Sequence, residues 1–333
     1  MGAPKKHPLG NSGLEVSELG LGTWPLSVPE KGYFGYSGTP EEQALAVLDT
    51  YVESGGNFID TALVYNGVEK IIGKYLKQMG QRDRVLIASK TFAGLRPETH
   101  AEIEAHIEAD LNTCLQDLGT DYLDLYYLHQ PPSEPDLIER SLAKLTALKK
   151  SGRIRAVGAS IKGPDVTSAT QALCNTYMAT GQLDVIQLVY NILRQMNLSA
   201  IDKAHQNGTG IVVRSVLESG LLTGFYKPGH VFAETDHRSR YNRENLEFIL
   251  ENVEGIAALA VREPYTYLAQ VAMRFSMTPP GASCIIMGAQ KPEEVAMNLA
   301  TLDLPPLDSE IVSQLQARYG HLTEMANFGQ VIL

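Results

Sequence analysis

The feature that most limits how this chain can fold is an alternation repeated eight times. A short apolar, often β-branched run is followed each time by a stretch of helical period. The runs are SELGLGTW, NFID, RVLIASK, YLDLYYLH, IRAVGAS, LDVIQLVY, TGIVVRSV and ASCIIMGA. The first helix, TPEEQALAVLDTYVESG, reads with Thr39 as N-cap, Pro40 in its first turn and Gly55 closing it. A long amphipathic helix is expected over 96–119, and the fifth helix is expected to begin near Gly163. An irregular stretch from Leu217 to about Arg243 follows the seventh run, then helices between Glu244 and Met277.

Parallel strands joined by right-handed crossovers either close into a ring or form an open doubly wound sheet. The open sheet wants G-x-G-x-x-G after its first strand, and LGLGTWPL has no third glycine opening a helix. The expected class is therefore α/β, a (β/α)8 TIM barrel occupying residues 1–333 as one domain. HPLGNSGLEVSEL reads as an N-terminal β-hairpin covering the barrel's N-terminal end. Extra helices are expected at the C-terminal side, the last over LDSEIVSQLQARYG.

Charge and composition remove several functions. Against 38 acidic residues stand 28 basic ones, with no Lys/Arg cluster, so nucleic acid and anionic membranes are not expected partners. No stretch approaches a membrane span, and no apolar run follows the N-terminal lysines as in a signal peptide. Cys114, Cys174 and Cys284 lie far apart, without metal-ligand spacing or a disulfide framework, as in a reducing, cytoplasmic compartment. A metal-dependent barrel hydrolase would want clustered ligands such as H-x-H after the first strand, and the sequence has none there, so no metal is expected. No feature identifies an oligomer interface.

A barrel gathers the carboxyl ends of its strands on one face, where active sites lie. Reading those ends gives Asp60 after NFI with Tyr65 beyond it, Lys90 closing LIASK and His129 closing YYLH. Singly, each has a bland reading: a helix cap, a packed ring, a surface lysine, a structural histidine. Together, on successive strands, they match carbonyl reduction by a nicotinamide. Negative charge grows on the carbonyl oxygen as hydride arrives, so a proton donor must sit against it. A tyrosine near its ordinary pKa of ~10 is a weak acid for this task. A neighbouring ammonium lowers that pKa. Lys90 supplies the ammonium, Asp60 holds it, and His129 orients the carbonyl or shares the proton relay.

In this setting NFIDTALVY, LIASK and YYLHQ resemble the tetrad segments of the aldo-keto reductases. The likeness runs nearly end to end, through PLGNSGLEVSELGLGTW, GRIRAVGAS, GLLTGFY and IIMGAQKPEEVAMNL. It implies a barrel that binds NADP or NAD without a Rossmann domain and reversibly reduces a small aldehyde, ketone or sugar carbonyl. By position, it implies that Ser160 and Gln187 hold the carboxamide, and that Ser215, Leu217 and Gly220 cover the pyrophosphate. Gly288, Gln290, Glu294 and Asn298 fall at the adenosine end. Thr23 falls near the nicotinamide and Trp24 at the substrate mouth. Some relatives regulate ion channels, so a non-enzymatic nicotinamide-binding subunit is the alternative.

Four positions depart from the family pattern. Ile161 stands where Asn is usual after the serine, and Leu63 where an acid is common. Arg214 stands where an aromatic ring commonly stacks on the nicotinamide. A guanidinium there favours the reduced cofactor over the cationic, oxidised one. Glu294 stands where Arg or Gln often grips the 2′-phosphate, and a carboxylate suits a 2′-hydroxyl better. Lys291 and the pair His237–Arg238 weigh the other way, so NADP is the first expectation and NAD the second. YKPGHVFAETDHRSRYNRE reads as a solvated loop or as a lid, and KGYFGYSG as an aromatic wall or a packed loop.

Overall fold

Eight of the apolar runs form strands, and their side-chain parity sets everything above them. The computed structural model describes residues 3–27, 36, 38–161 and 166–323. A hairpin, β1 (Lys6–Pro8) and β2 (Glu15–Ser17), precedes the barrel and is antiparallel. The barrel strands are β3 (Leu19–Gly22), β4 (Phe58–Asp60), β5 (Leu86–Thr91) and β6 (Leu123–His129). They continue with β7 (Ile154–Ser160), β8 (Val185–Val189), β9 (Gly210–Arg214) and β10 (Ala282–Gly288). Neighbours pair in parallel and β10 closes on β3, so the ring has no edge.

Alternate residues of each strand face the barrel axis. Phe58, Ala88, Leu125, Tyr127, Val185 and Val212 form one buried cluster inside the ring, and Leu9, Leu14 and Val16 of the hairpin region join it from below. The hairpin thus plugs the N-terminal end, as expected. Counting two residues further along each strand reaches Asp60, Lys90, His129, Gln187 and Arg214. The same alternation that fills the core with apolar side chains puts a polar layer on top of it. Two glycines make room below that layer. A Cβ at Gly158 would lie 2.4 Å from Tyr127 Cδ1, and one at Gly20 would lie 2.8 Å from Phe58 Cδ1.

The opposite parity packs against the helices. These are α1 (Glu41–Glu53), α2 (Val68–Met79), α3 (Ile103–Leu118), α4 (Pro135–Lys150), α5 (Ser168–Ala179) and α6 (Leu198–Asn207). After β9 come α7 (Arg243–Ala260) and α8 (Leu268–Ser276), and after β10 come α9 (Pro292–Ala300) and α10 (Ser309–Tyr319). α7 and α10 lie outside the strand–helix alternation and touch each other. No described helix is long and apolar enough to cross a membrane.

Three local expectations change. Thr39 does not cap α1: its hydroxyl donates to the Pro25 carbonyl at 2.9 Å, and Pro40 takes the cap position without a side-chain bond. The expected long helix over 96–119 begins as a 3₁₀ segment, Pro97–Glu102, and becomes α-helical only at Ile103. The fifth helix starts at Ser168, where Thr167 forms a reciprocal capping box with Thr170, and residues 162–165 lie outside the described set. Residues 28–35 and 37, most of the KGYFGYSG loop, also lie outside it.

Candidate active site

Asp60, Lys90, Gln187 and Ser160 form one connected hydrogen-bond network within the polar layer. Asp60, buried at the end of β4, accepts from Lys90 Nζ at 2.5 Å through Oδ1 and from Gln187 Nε2 at 2.7 Å through Oδ2. Gln187 Oε1 in turn accepts from the Ser160 hydroxyl at 2.8 Å. Lys90 Nζ also donates to the Thr61 carbonyl at 2.7 Å. Both charges of the Asp60–Lys90 pair are 1 % exposed, so each needs the other. Thr23 is buried as well, and its hydroxyl donates to the Asp60 carbonyl at 3.0 Å, fixing the end of β4.

Tyr65 follows β4 in the loop leading to α2. Its ring centroid is 5.4 Å from Lys90 Nζ and 5.0 Å from the Trp24 ring, which meets it edge-on. Burial pushes the Tyr65 phenol above its ordinary 10.0, and the Lys90 ammonium pulls it back down. Burial is the larger effect, so the phenol holds its proton through the neutral range. The lysine therefore moderates a buried acid; it does not leave that acid stronger than tyrosine in water.

His129, at the end of β6, is held well below its ordinary 6.5 by burial, with Lys90 and Arg214 adding to the effect. It is a neutral imidazole near pH 7, and its buried Nδ1 has no hydrogen-bond partner among the described residues. Arg214, at the end of β9, donates from Nη2 to the Ile161 carbonyl at 3.1 Å. Its pKa is lowered by burial, against the raising influence of Tyr65 when ionised and of Asp60.

The loop after β9 is tightly built. Ser215, Glu218 and Ser219 have φ of 58°, 47° and 54°, a left-handed conformation that non-glycine residues rarely adopt. Glu218 explains how it persists. Its buried carboxylate accepts from Arg194 Nε at 2.8 Å and Nη2 at 2.7 Å, from Asn191 at 2.7 Å and from Tyr241 at 3.0 Å. Ser215, Leu217 and Gly220 sit on this pinned backbone, and Gly220 too has positive φ, 87°. Neither Arg194 nor Glu218 was singled out from the sequence.

Beyond it, the 3₁₀ turn His237–Arg240 lies across the barrel mouth. The His237 ring is 5.7 Å from Trp24 and 4.8 Å from Tyr36. Arg238 packs among Tyr36, Tyr226 and Phe232 at 4.5, 4.9 and 4.4 Å from their centroids, and donates to Asp236 from Nη2 at 2.6 Å. Arg238 is committed to holding this segment against Tyr36, Tyr226 and Phe232.

The remaining residues cluster at β10. Gly288 ends the strand, and Gln290 Nε2 donates to the Tyr36 carbonyl and the Thr39 hydroxyl, each at 3.2 Å. Glu294 is exposed and accepts from the Gln290 backbone N–H at 2.8 Å, at the start of α9. Asn298 is buried on the same helix.

One buried acid lies just behind the site. Glu69, in the first turn of α2, accepts from the Ser89 hydroxyl, and its Oε2 has no hydrogen-bond partner among the described residues. Ser89 precedes Lys90 on β5 and also lies 3.5 Å from Cys114 Sγ on α3. Burial lifts Glu69 to about 7, against the lowering influence of Ser89, Cys114 and Lys90 and with a small push from Asp117. The folded protein thus keeps a proton that the unfolded chain loses above about 4.5. Stability contributed by protonated Glu69 is complete below pH 4.5 and is lost as pH rises through 7. The loss is about 3 kcal/mol. Glu69→Gln is expected to remove that fall, measured as denaturation midpoints at pH 5 and pH 8. An unchanged pH slope would contradict it.

The sequence profile of the Aldo/keto reductase family matches residues 18–319. The NADH-specific methylglyoxal reductase of Escherichia coli (strain K12) is 31% identical over 337 residues, covering 92% of this chain and 96% of that one. A probable voltage-gated potassium channel subunit beta of Oryza sativa subsp. japonica is 29% identical over 321 residues, covering 93% and 94%. Among solved structures, the apo form of aldo-keto reductase AKR11C1 from Bacillus halodurans superimposes with a TM-score of 0.72 at 26% identity, over 98% and 99% of the two chains. Barrel, polar layer and sequence agree, and the chain belongs to the aldo/keto reductase family, as an NAD(P)-dependent oxidoreductase.

Proposed function

We propose that this protein reduces a small aldehyde or ketone to the alcohol, with Tyr65 as the proton donor. The observation that carries the reading is the sealed Asp60–Lys90 pair at 2.5 Å, with its ammonium 5.4 Å from the Tyr65 ring. When bound, a reduced nicotinamide supplies hydride to the carbonyl carbon. The Tyr65 hydroxyl gives its proton to the carbonyl oxygen as charge grows there. Lys90 stabilises the phenolate left behind, and Asp60 holds Lys90 in place. His129, neutral at pH 7, orients the carbonyl oxygen by a hydrogen bond without adding charge.

The residues around this point suit a nicotinamide. Gln187 uses one amide N–H on Asp60 and retains a second, while the Ser160 oxygen retains acceptor capacity for a carboxamide. The aromatic mouth of Trp24, Tyr36 and His237 excludes water from the carbonyl and favours a small substrate. Reduction of methylglyoxal by a relative fits that size.

Cofactor preference turns on the adenosine end. Of the cations weighed against Glu294, Arg238 is held by Asp236 and three aromatic rings. We therefore rank NADH ahead of NADPH, the reverse of the order expected from sequence. Fluorescence titration is expected to give the lower Kd for NADH, and Glu294→Gln to narrow the gap. A lower Kd for NADPH in the unaltered protein contradicts the ranking. The function itself is tested by turnover: purified protein, reduced cofactor and a panel of small aldehydes and ketones, followed by cofactor absorbance. Cofactor binding without oxidation by any carbonyl favours the regulatory-subunit alternative.

A further inference from the structure

Arg214 stands apart from the other deeply placed arginines around the site. Arg194 pairs with Glu218 at 2.7 Å and Arg238 with Asp236 at 2.6 Å. Among the described residues, Arg214 makes no ion pair within 4.0 Å. Its Nη2 is fixed on the neutral Ile161 carbonyl at 3.1 Å, Nη1 reaches the Ser215 hydroxyl only at 3.5 Å, and its buried Nε has no partner among the described residues. Ile161 offers no side-chain acceptor. The polar layer therefore carries the charges of Lys90 and Arg214 against that of Asp60, with His129 neutral. Glu218, the next carboxylate along, is taken by Arg194.

We propose that Arg214 makes the site discriminate between the two redox states of its cofactor by charge, retaining the neutral reduced ring and expelling the cationic oxidised one. The inference rests on the nicotinamide reading above. A carbonyl bonded to Tyr65 takes hydride from a carbon about 3–3.5 Å away. Arg214, at the end of β9, is near enough to Tyr65 to act on its phenol, so a ring carrying that carbon would lie close to the guanidinium. The reduced ring is neutral. Losing hydride would leave a positive ring close to a guanidinium that keeps its proton and makes no ion pair among the described residues. The overall equilibrium of the reaction is unchanged, so the discrimination has two linked effects. Oxidised product leaves readily and inhibits weakly, while the hydride-transfer equilibrium on the enzyme shifts towards reduced cofactor by the same factor. This arrangement suits a reductase working in an excess of oxidised cofactor, where release would otherwise limit turnover.

The test is a pair of equilibrium titrations, reduced and oxidised cofactor, by calorimetry or fluorescence, on the unaltered protein, Arg214→Gln and Arg214→Lys. The unaltered protein is expected to bind the reduced form more tightly. Arg214→Gln is expected to lower the ratio of Kd for oxidised to reduced cofactor about tenfold or more, equivalent to about 30 mV in the bound two-electron couple. Arg214→Lys, which keeps the charge, is expected to retain most of the ratio. An unchanged ratio in Arg214→Gln overturns the assignment. So does an unaltered protein that binds the oxidised form as tightly as the reduced one, whether or not the variants fold. Binding of neither form by the unaltered protein overturns the nicotinamide reading instead.

Discussion

Tyr65→Phe is expected to lower kcat for carbonyl reduction about 100- to 10,000-fold while leaving the Kd for reduced cofactor nearly unchanged. The substitution removes one hydroxyl and keeps the ring, so the edge-on contact with Trp24 survives. What disappears is the proton for the carbonyl oxygen. His129 cannot substitute efficiently, because burial and the nearby Lys90 and Arg214 charges keep its imidazole neutral. Measuring kcat and cofactor affinity on the same preparation separates chemistry from binding. Retained turnover would remove Tyr65 from the mechanism and leave the fold and family untouched.

Lys90→Met is expected to fail twice. Turnover falls because the phenolate formed at Tyr65 loses its nearest cation. Stability falls by about 3–5 kcal/mol, because Asp60 is left as a buried charge without its partner. The two losses can be told apart. Adding Asp60→Asn to Lys90→Met removes the stranded charge, so the denaturation midpoint is expected to recover substantially while turnover does not. Recovery of both would mean that Lys90 acts only through folding.

The parts of this site that were legible in the sequence are those written in strand parity. Asp60, Lys90 and His129 each end an apolar run, and counting back by two from each reaches an interior residue: Phe58, Ala88 and Tyr127. The eightfold alternation and the hairpin were readable for the same reason, since burial in a closed ring dictates period two in strands and a helical period in crossovers. Interactions between loops were not readable. Glu218 and Arg194 come from the segments after β9 and β8, and no periodicity announces that one backbone is pinned by the other. Arg238 weighed towards NADP in the sequence because Tyr36, which covers it, lies on a separate loop whose meeting with this one no local pattern specifies. Thr39 had the composition of a helix cap, yet the chain leaving β3 brings the Pro25 carbonyl within reach of its hydroxyl. Glu69 reads as a favourable acid in a helix's first turn. Only the packing of α2 on α3 buries it and lifts its pKa to about 7.

The balance between burial and cation at Tyr65 is the physical point on which the proposed chemistry turns. It can be measured by NMR titration of protein carrying ¹³C-labelled tyrosine, with the Tyr65 resonance assigned by its absence in Tyr65→Phe. In the unaltered protein the phenol is expected to ionise above its ordinary pH, and in Lys90→Met at a higher pH still, since the lysine's lowering influence is gone and the Asp60 charge remains. A Tyr65 pKa that stays the same or falls when Lys90 is replaced contradicts the account.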